Sequence, residues 1–273
     1  MSDMIKSFIA LIVSIIVVHL IYIGYVHPEA NSLLEMARQA GQSAPRDVVV
    51  ILKDIEQEIC FILMLWGGYL IASKSLAILG DKHVFGVDLI KEASEIPGDI
   101  VSNPERIIDK LDRELFQDQG RGSTPLIGIL HSVLQRYVAM RGVENFNVQN
   151  LSDAIESEIE ALDRRQEADN SMIRYLIWAI PSIGFIGTVR GIGQALSLAD
   201  EALAGNIAGM TDSLGVAFNS TLVALLISIL LMFFLHQLQR LQDSQVVDTQ
   251  GYLNKYLLTP VSQQLSKQRA RET

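Results

Sequence analysis

The sequence predicts an all-α integral membrane protein with four transmembrane helices and a helical cytoplasmic domain between the second and third spans. Two observations carry this prediction: four nearly uninterrupted apolar segments, and an uneven distribution of Lys and Arg over the segments that join them. Each apolar segment is close to the roughly 20 residues that a helix needs to cross a bilayer core of about 30 Å. The clustering of apolar residues is a stronger indication of membrane spans than their total number, because a hydrophobic content of 49% also occurs in soluble domains.

The first apolar segment, residues 8–26, is interrupted only by Ser14 and His19. It shares two features with a secretory signal peptide, a basic residue (Lys6) and an apolar run that follows it. The run is longer than the roughly 7–15 apolar residues of such a peptide, and no A-x-A cleavage site follows. We therefore expect a retained span, in which His19 has a structural role.

Three further apolar segments, residues 59–79, 175–195 and 213–235, complete the predicted spans. Residues 197–212, between the third and fourth spans, contain no Lys or Arg, whereas the stretch between the second and third is rich in both. Because positively charged loops stay on the cytoplasmic side, both termini and the central stretch are predicted to be cytoplasmic. The loop at 27–58 is then outside.

These assignments divide the chain into four parts. The central part is expected to be helical, with Asn150 as the N-cap of a helix that carries Ile155, Ile159 and Leu162 on one face and continues into the third span. The four parts are an N-terminal transmembrane hairpin (1–80), a cytoplasmic helical domain (81–170), a channel-forming transmembrane hairpin (171–237), and a cytoplasmic C-terminal helix and tail (238–273).

Composition and charge exclude several classes of function. A formal charge of −9 and a pI near 5.0 argue against a nucleic-acid partner. The only cysteine, Cys60, excludes an intrachain disulfide framework and a multi-cysteine metal site. The histidines are scattered and no catalytic grouping can be argued from spacing, so we predict neither an enzyme nor a cofactor.

The segment I-P-S-I-G-F-I-G-T-V-R-G-I-G, residues 180–193, is glycine-rich without being a nucleotide loop. Leu196 stands where the third glycine of G-x-G-x-x-G would be, and no P-loop lysine follows. Helical spacing instead places small residues on one stripe, which lets helices approach closely in lipid, and the proline is expected to kink the helix. The stripe consists of Pro181, Gly184, Thr188, Gly191 and Ala195, and Gly187 is a further small residue of the same segment.

The fourth span carries a matching stripe of small and hydroxyl side chains. Its members are Ser213, Ala217, Ser220, Ala224 and Ser228, with Thr221 beside them. Two interpretations stay open from spacing alone. The stripes pack two helices together, or they line a pore or hold a partner helix, where hydroxyls can replace part of an ion's hydration shell.

Charged groups are nearly absent from the last two spans. Residues 175–197 and 213–235 contain no Asp or Glu, so a titrating carboxylate for an ion path must come from another chain. Arg190 lies opposite the small stripe, near the outer membrane face, where it either snorkels to headgroups or pairs with an acid of the following loop: Asp200, Glu201 or Asp212. Asn219 is a candidate contact to a neighbouring subunit.

The motifs P-S-I-G-F-I-G-T-V-R-G-I and L-G-V-A-F-N-S-T-L-V-A-L resemble the last two helices of the MotA/TolQ/ExbB proton channel family. Their wording resembles the TolQ and ExbB form, while four spans resemble MotA. The resemblance implies a ring, commonly pentameric, around a dimer of single-span ExbD-, TolR- or MotB-like proteins whose membrane Asp carries the proton. It also implies pore-facing roles for Thr188 and Thr221. Two positions depart from the pattern: Arg190 replaces a bulky apolar residue, and Val216 replaces a Glu.

From this resemblance we expect the ring subunit of a motor in the bacterial inner membrane that is driven by the proton-motive force and acts on an envelope target. Protons, or alternatively Na⁺, would pass Thr188, Thr221, Ser220 and Ser213. One alternative is a flagellar-type stator subunit, and another is a non-conducting membrane scaffold. The stator would need charges that engage a rotor, for which the candidates are Arg106, Lys110, Asp112, Arg113 and Glu114.

Overall fold

The computed structural model describes residues 2–40, 45, 47–90, 104–117, 124–141, 147–205 and 207–272. Throughout this part of the chain the regular secondary structure is helical, which confirms the predicted all-α class. Two compact units are formed. The membrane unit consists of Met1–Lys74 and Asn170–Leu238, and the helical unit of Ser75–Asp169 and Gln239–Thr273.

The following helical elements lie within the described residues. In chain order they are α1 (Ser2–Ile21), a π-helical segment (Tyr22–Val26), α2 (His27–Gln39), α3 (Val48–Ile51), α4 (Ile55–Asp81), a 3-10 turn (Lys82–Gly86), α5 (Pro104–Gln117), α6 (Pro125–Arg141), α7 (Val148–Asp169), α8 (Ser171–Ser197), α9 (Ala199–Leu203), α10 (Ala208–Leu253), a second π-helical segment (Asn254–Leu258) and α11 (Thr259–Glu272).

Four stretches of helix are long and apolar enough to cross a membrane, as predicted. They are Met4–Ala37, Ile55–Gly86, Val148–Ser197 and Ala208–Lys267, with mean hydropathies of 2.6, 1.6, 1.5 and 2.3 in their most apolar windows. Large apolar side chains stay exposed on these helices, among them Trp178 at 77% and Phe218 at 69%. A surface of this kind is stable against hydrocarbon or a neighbouring protein and unstable in water. The chain is therefore a multi-pass membrane protein.

The helical unit has its own apolar core. Ile107 and Leu111 of α5, Leu130 and Leu134 of α6, and Leu151 of α7 are almost fully buried there. Helices α5 and α6 both begin at a proline, whose fixed φ and missing N–H suit the first helical position.

One of two local expectations for α7 is corrected. The cap is Asn147 rather than Asn150, because the side-chain oxygen of Asn147 accepts the backbone N–H of Asn150 at 3.1 Å, one turn into the helix. The helix runs into the third span as expected: Val148–Ser197 is one stretch of helix, interrupted at Asn170 alone, a turn residue with right-handed helical φ and ψ.

The charges considered for a rotor contact lie on α5. Arg106 is exposed, and Asp112 pairs with His131 of α6 at 2.8 Å inside the helical unit. The side chains of Lys110, Arg113 and Glu114 lie outside the described part of the structure. A pairing within the unit is sufficient to explain Asp112, so this side chain gives no support to a rotor contact.

Candidate functional site

The two small-residue stripes face each other across α8 and α10. Gly184, Gly187 and Gly191 of α8 are buried, and a Cβ atom added to any of them would lie only 2.5–2.7 Å from the nearest atom of α10. At Gly191 the nearest atom is the backbone nitrogen of Ala217, which cannot rotate away. By contrast, nothing lies within 4 Å of a Cβ at Gly193. The glycines therefore set the distance between the two helix backbones.

This close approach brings Thr188 and Thr221 together. Their hydroxyl groups hydrogen-bond to each other, and both side chains are half-buried. Each hydroxyl also reaches a carbonyl of the opposite helix: Thr188 Oγ1 lies 2.9 Å from the carbonyl oxygen of Ala217, and Thr221 Oγ1 lies 3.3 Å from that of Gly184. Two hydroxyls thus share several acceptors, an arrangement in which their protons can reorient.

The backbone hydrogen bond that Pro181 removes from α8 is replaced by a hydrogen bond from the neighbouring helix. Helix α8 runs through this proline, which has no N–H to donate to the carbonyl of Ile177, four residues earlier. The hydroxyl of Ser228 donates to that carbonyl at 3.0 Å and is buried. In a membrane, a serine of an adjacent helix is a common way to satisfy a carbonyl that a proline has freed. The predicted kink stays a prediction.

The remaining hydroxyls of the stripe bond within α10. Ser213 donates to the carbonyl of Gly209 and Ser220 to that of Val216, both at 2.9 Å. Ser220 also accepts a long hydrogen bond from the amide of Gln57 in α4, at 3.4 Å. Asn219 is half-buried, and its assignment to a subunit contact stays a prediction.

Arg190 pairs with the start of α4, which corrects the expected partner. Its guanidinium donates from Nε and Nη2 to the two carboxylate oxygens of Glu56, both at 2.7 Å, and lies 3.5 Å from Asp54. The described contacts of Arg190 are therefore with acids that precede α4 or lie in its first turn, and not with the acids of the following loop that were expected: Asp200, Glu201 or Asp212. The sequence offered no reason to choose the acids at 54–58, because only the fold brings the first turn of α4 against the end of α8.

A polar group is buried where α4 begins. We call Asp54, Glu56, Gln57, Glu58 and Arg190 the carboxylate cluster. Glu56, Gln57 and Glu58 are each less than 9% exposed, and Glu58 contacts His19 of α1 at 2.7 Å. Burial raises the pKa of the Asp54 carboxyl above its usual value, against the opposing charges of Lys53 and Arg190.

Sequence reasoning missed this cluster, because the acids of residues 27–58 are interspersed with basic residues and so resemble an ordinary charged loop. A signal was nevertheless available. Four polar residues, Asp54, Glu56, Gln57 and Glu58, fall within one helical turn and a half, directly before an apolar run. Polar groups at such a boundary are expensive to bury, so their burial calls for partners or a function.

Comparison with known proteins supports the motif-based resemblance. Residues 123–250, a little under half of the 273 residues, match the MotA/TolQ/ExbB proton channel family. No curated protein and no solved structure matches the chain significantly. The matched range contains all of α8 and α10 up to residue 250, and so both threonines. The similarity to the MotA/TolQ/ExbB proton channel family therefore covers the helix pair that forms the candidate site.

Proposed function

We propose that this chain is the ring subunit of an ion-driven motor in the bacterial inner membrane, with both termini in the cytoplasm. The observation that carries the proposal is the contact between the Thr188 and Thr221 hydroxyls on two glycine- and alanine-lined helix faces. A scaffold needs only the small residues to pack α8 against α10. The paired hydroxyls add a polar position where the two helix faces meet, which suits an ion path.

The missing carboxylate defines the partner. A proton relay needs a group that titrates, and neither 175–197 nor 213–235 contains Asp or Glu. The partner we propose is a dimer of single-span proteins, each with one membrane Asp, inside a homo-oligomeric ring that is pentameric in related proteins. Ion flow past the threonines would then drive rotation or force on an envelope target.

Protons are the favoured ion. Thr188 and Thr221 already satisfy each other, and each has a carbonyl of the opposite helix within reach. Such a pair can pass a proton to or from a water molecule by reorienting its hydrogen bonds. Sodium would instead have to replace most of its hydration shell, which calls for more oxygen ligands than this pair presents.

The test is ion flux through the chain and its partner in lipid vesicles. The vesicles contain a pH-sensitive dye, and an imposed proton gradient drives the flux. The Thr188→Ala/Thr221→Ala variant should lose flux by at least about tenfold, a difference of about 1.4 kcal/mol in the barrier, while the ring still assembles on native gels. The corresponding double Ser variant keeps both hydroxyls and should retain most of the flux.

The matched control is Thr211→Ala. Thr211 is an exposed threonine of α10 whose hydroxyl bonds within its own helix, to the carbonyl of Ile207 at 3.0 Å. This change should leave the flux unaltered. Undiminished flux in the double Ala variant would favour the scaffold, in which the stripes only pack helices. A Na⁺ gradient that drives flux when the proton gradient does not would assign sodium.

A further inference from the structure

Three buried polar atoms near the start of α4 have no hydrogen-bond partner among the described residues. They are the hydroxyl oxygen of Tyr22, one carboxylate oxygen (Oδ2) of Asp54, and the side-chain oxygen of Gln57. Tyr22 is 3% exposed and Gln57 is fully buried. Nearly all buried polar atoms in folded proteins bond to protein or to ordered water. Unpaired atoms of this kind therefore indicate a small polar ligand.

The three atoms belong to one place in the membrane unit. Tyr22 packs in one apolar cluster with Val49, Phe61 and Ile62, residues that flank positions 54–58 along the chain. Asp54 shares the guanidinium of Arg190 with Glu56, the residue before Gln57. The unpaired atoms of Asp54 and Gln57 thus belong to the carboxylate cluster, and the unpaired hydroxyl of Tyr22 belongs to a residue that packs against its neighbours in sequence.

The cluster is also connected to the threonine pair. The amide nitrogen of Gln57 donates to the carbonyl oxygen of Ile51 at 3.1 Å and to the Ser220 hydroxyl at 3.4 Å. Ser220 precedes Thr221 in α10, and its side chain lies against Gly187, the residue before Thr188. Polar groups therefore follow one another from the cluster, through Gln57 and Ser220, to the two threonines.

We propose that the carboxylate cluster is a hydrated access pocket for a monovalent cation, either a proton carried by water or Na⁺. The side-chain oxygen of Gln57 accepts a hydrogen bond from that water, or ligates Na⁺, as the cation moves towards Ser220. The proposal rests on the proposed function for the direction of the path, although the pocket itself does not. The proposal assigns Gln57 and Ser220 to the ion route. It also makes the start of α4 part of that route, although α4 lies outside the two sequence motifs.

The charges of the cluster determine whether it binds cations or anions. Arg190 pairs with Asp54 and Glu56, Lys53 acts on Asp54, and Glu58 contacts His19. Glu56 is fully engaged with Arg190 through both oxygens, which leaves an oxygen of Asp54 to receive a cation or a water proton. An unpaired carboxylate oxygen attracts cations and repels anions.

The single native cysteine makes the pocket directly testable. In a Cys60→Ser background, Gln57→Cys places one thiol at the pocket. Whole cells or oriented vesicles are treated with two membrane-impermeant methanethiosulfonates, trimethylammonium-ethyl (cationic) and sulfonatoethyl (anionic). Gln57→Cys should react, and faster with the cationic reagent by about tenfold or more. Native Cys60 lies one turn further along α4, is 1% exposed and should not react.

Ser220→Cys in the same background is the second variant, so that a folding defect in one does not decide the result. Reaction that is as slow as at Cys60, or equal for the two reagents, would overturn the proposal. Protection of the thiol by NaCl but not by choline chloride assigns Na⁺, and equal labelling in the two salts assigns proton-carrying water.

Measurements of proton flux distinguish a failure of this inference from a failure of the proposed function. Gln57→Leu should reduce proton flux through the vesicles by at least about tenfold, whereas Gln57→Asn, which keeps the amide, should restore part of it. If the wild-type complex conducts no ion and Gln57→Cys still reacts selectively with the cation, the proposed function fails and the pocket stands. If the complex conducts and Gln57→Leu conducts equally well, the route through Gln57 is wrong.

Discussion

Replacing Ser228 by Ala should destabilise the membrane unit only as long as Pro181 is present. The reason is the carbonyl of Ile177. Pro181 cannot donate to it, and the Ser228 hydroxyl does so at 3.0 Å from α10. Because Ser228 is 6% exposed, no bulk water replaces the hydroxyl when it is removed. The Ser228→Ala change therefore leaves a buried carbonyl unpaired.

The size of the effect can be bounded. An unsatisfied buried polar group costs about 1–3 kcal/mol in proteins generally. Interhelical hydrogen bonds measured in membrane proteins average about 0.6 kcal/mol and reach about 1.7. We expect a loss of about 1 kcal/mol for Ser228→Ala. In a Pro181→Ala background the restored N–H bonds Ile177 within the helix, so the same change should cost less than about 0.3 kcal/mol, near the limit of additivity.

The four variants of this cycle can be compared by reversible unfolding in mixed micelles with increasing sodium dodecyl sulfate, followed by circular dichroism. Ser182→Ala is the control. Ser182 is exposed, and its hydroxyl bonds within α8 to the carbonyl of Trp178 at 3.0 Å, so its loss should have no effect in either background. An equal cost of Ser228→Ala with and without the proline would show that Ser228 does not compensate for Pro181.

Three further predictions test the helix contacts. Gly191→Ala should destabilise the membrane unit by about 1–3 kcal/mol, because the added Cβ would meet the backbone of α10. Gly193→Ala should leave the stability unchanged or raise it by up to about 1 kcal/mol, because Ala has the higher helix propensity and the site is open. Equal effects of the two changes on thermal unfolding would contradict this expectation. Arg190→Ala should lower the stability by about 2 kcal/mol because it leaves Glu56 unpaired. The loss is smaller than for a fully buried pair, because Arg190 is partly exposed. The double variant Glu56→Ala/Arg190→Ala should regain most of the lost stability, and no recovery would mean that the pair does not act as a unit. Since the pKa of Asp54 is raised on folding, the folded state binds more protons than the unfolded state at acidic pH, and the free energy of unfolding should fall as the pH rises from about 4 through the folded pKa. The Asp54→Asn variant should flatten this part of the stability profile. An unchanged profile would exclude Asp54 as its source.

Periodicity and composition predicted the fold class and the helix pair of the site. Residues at spacings of three and four must share a helix face, so Gly184, Thr188 and Gly191 could be placed together from their spacing alone. Lipid favours close contact between small faces, which made α10 the natural partner of α8. The cap at Asn147 was missed because Asn147 and Asn150 carry the same chemistry one turn apart.

The partner of Arg190 could not be predicted in the same way. A helical wheel gives the direction of a side chain from its own axis, and gives no information about which of the other helices lies there. The acids at 200, 201 and 212 are nearer in sequence, but Glu56 and Asp54 are nearer in space, at a separation of more than 130 residues. Proximity along the chain was therefore a poor guide for a charge at the end of a span.

Apolar length and helical period are local properties, and they are enough to establish that this chain is helical, crosses a membrane and carries two small-residue faces with a threonine in each. Tertiary packing was needed to establish that the two threonine hydroxyls bond to each other, that Ser228 satisfies the carbonyl freed by Pro181, and that a carboxylate cluster is buried against Arg190. These contacts depend on the distance and rotation between helices, which the packing of side chains from separate parts of the chain sets as a whole.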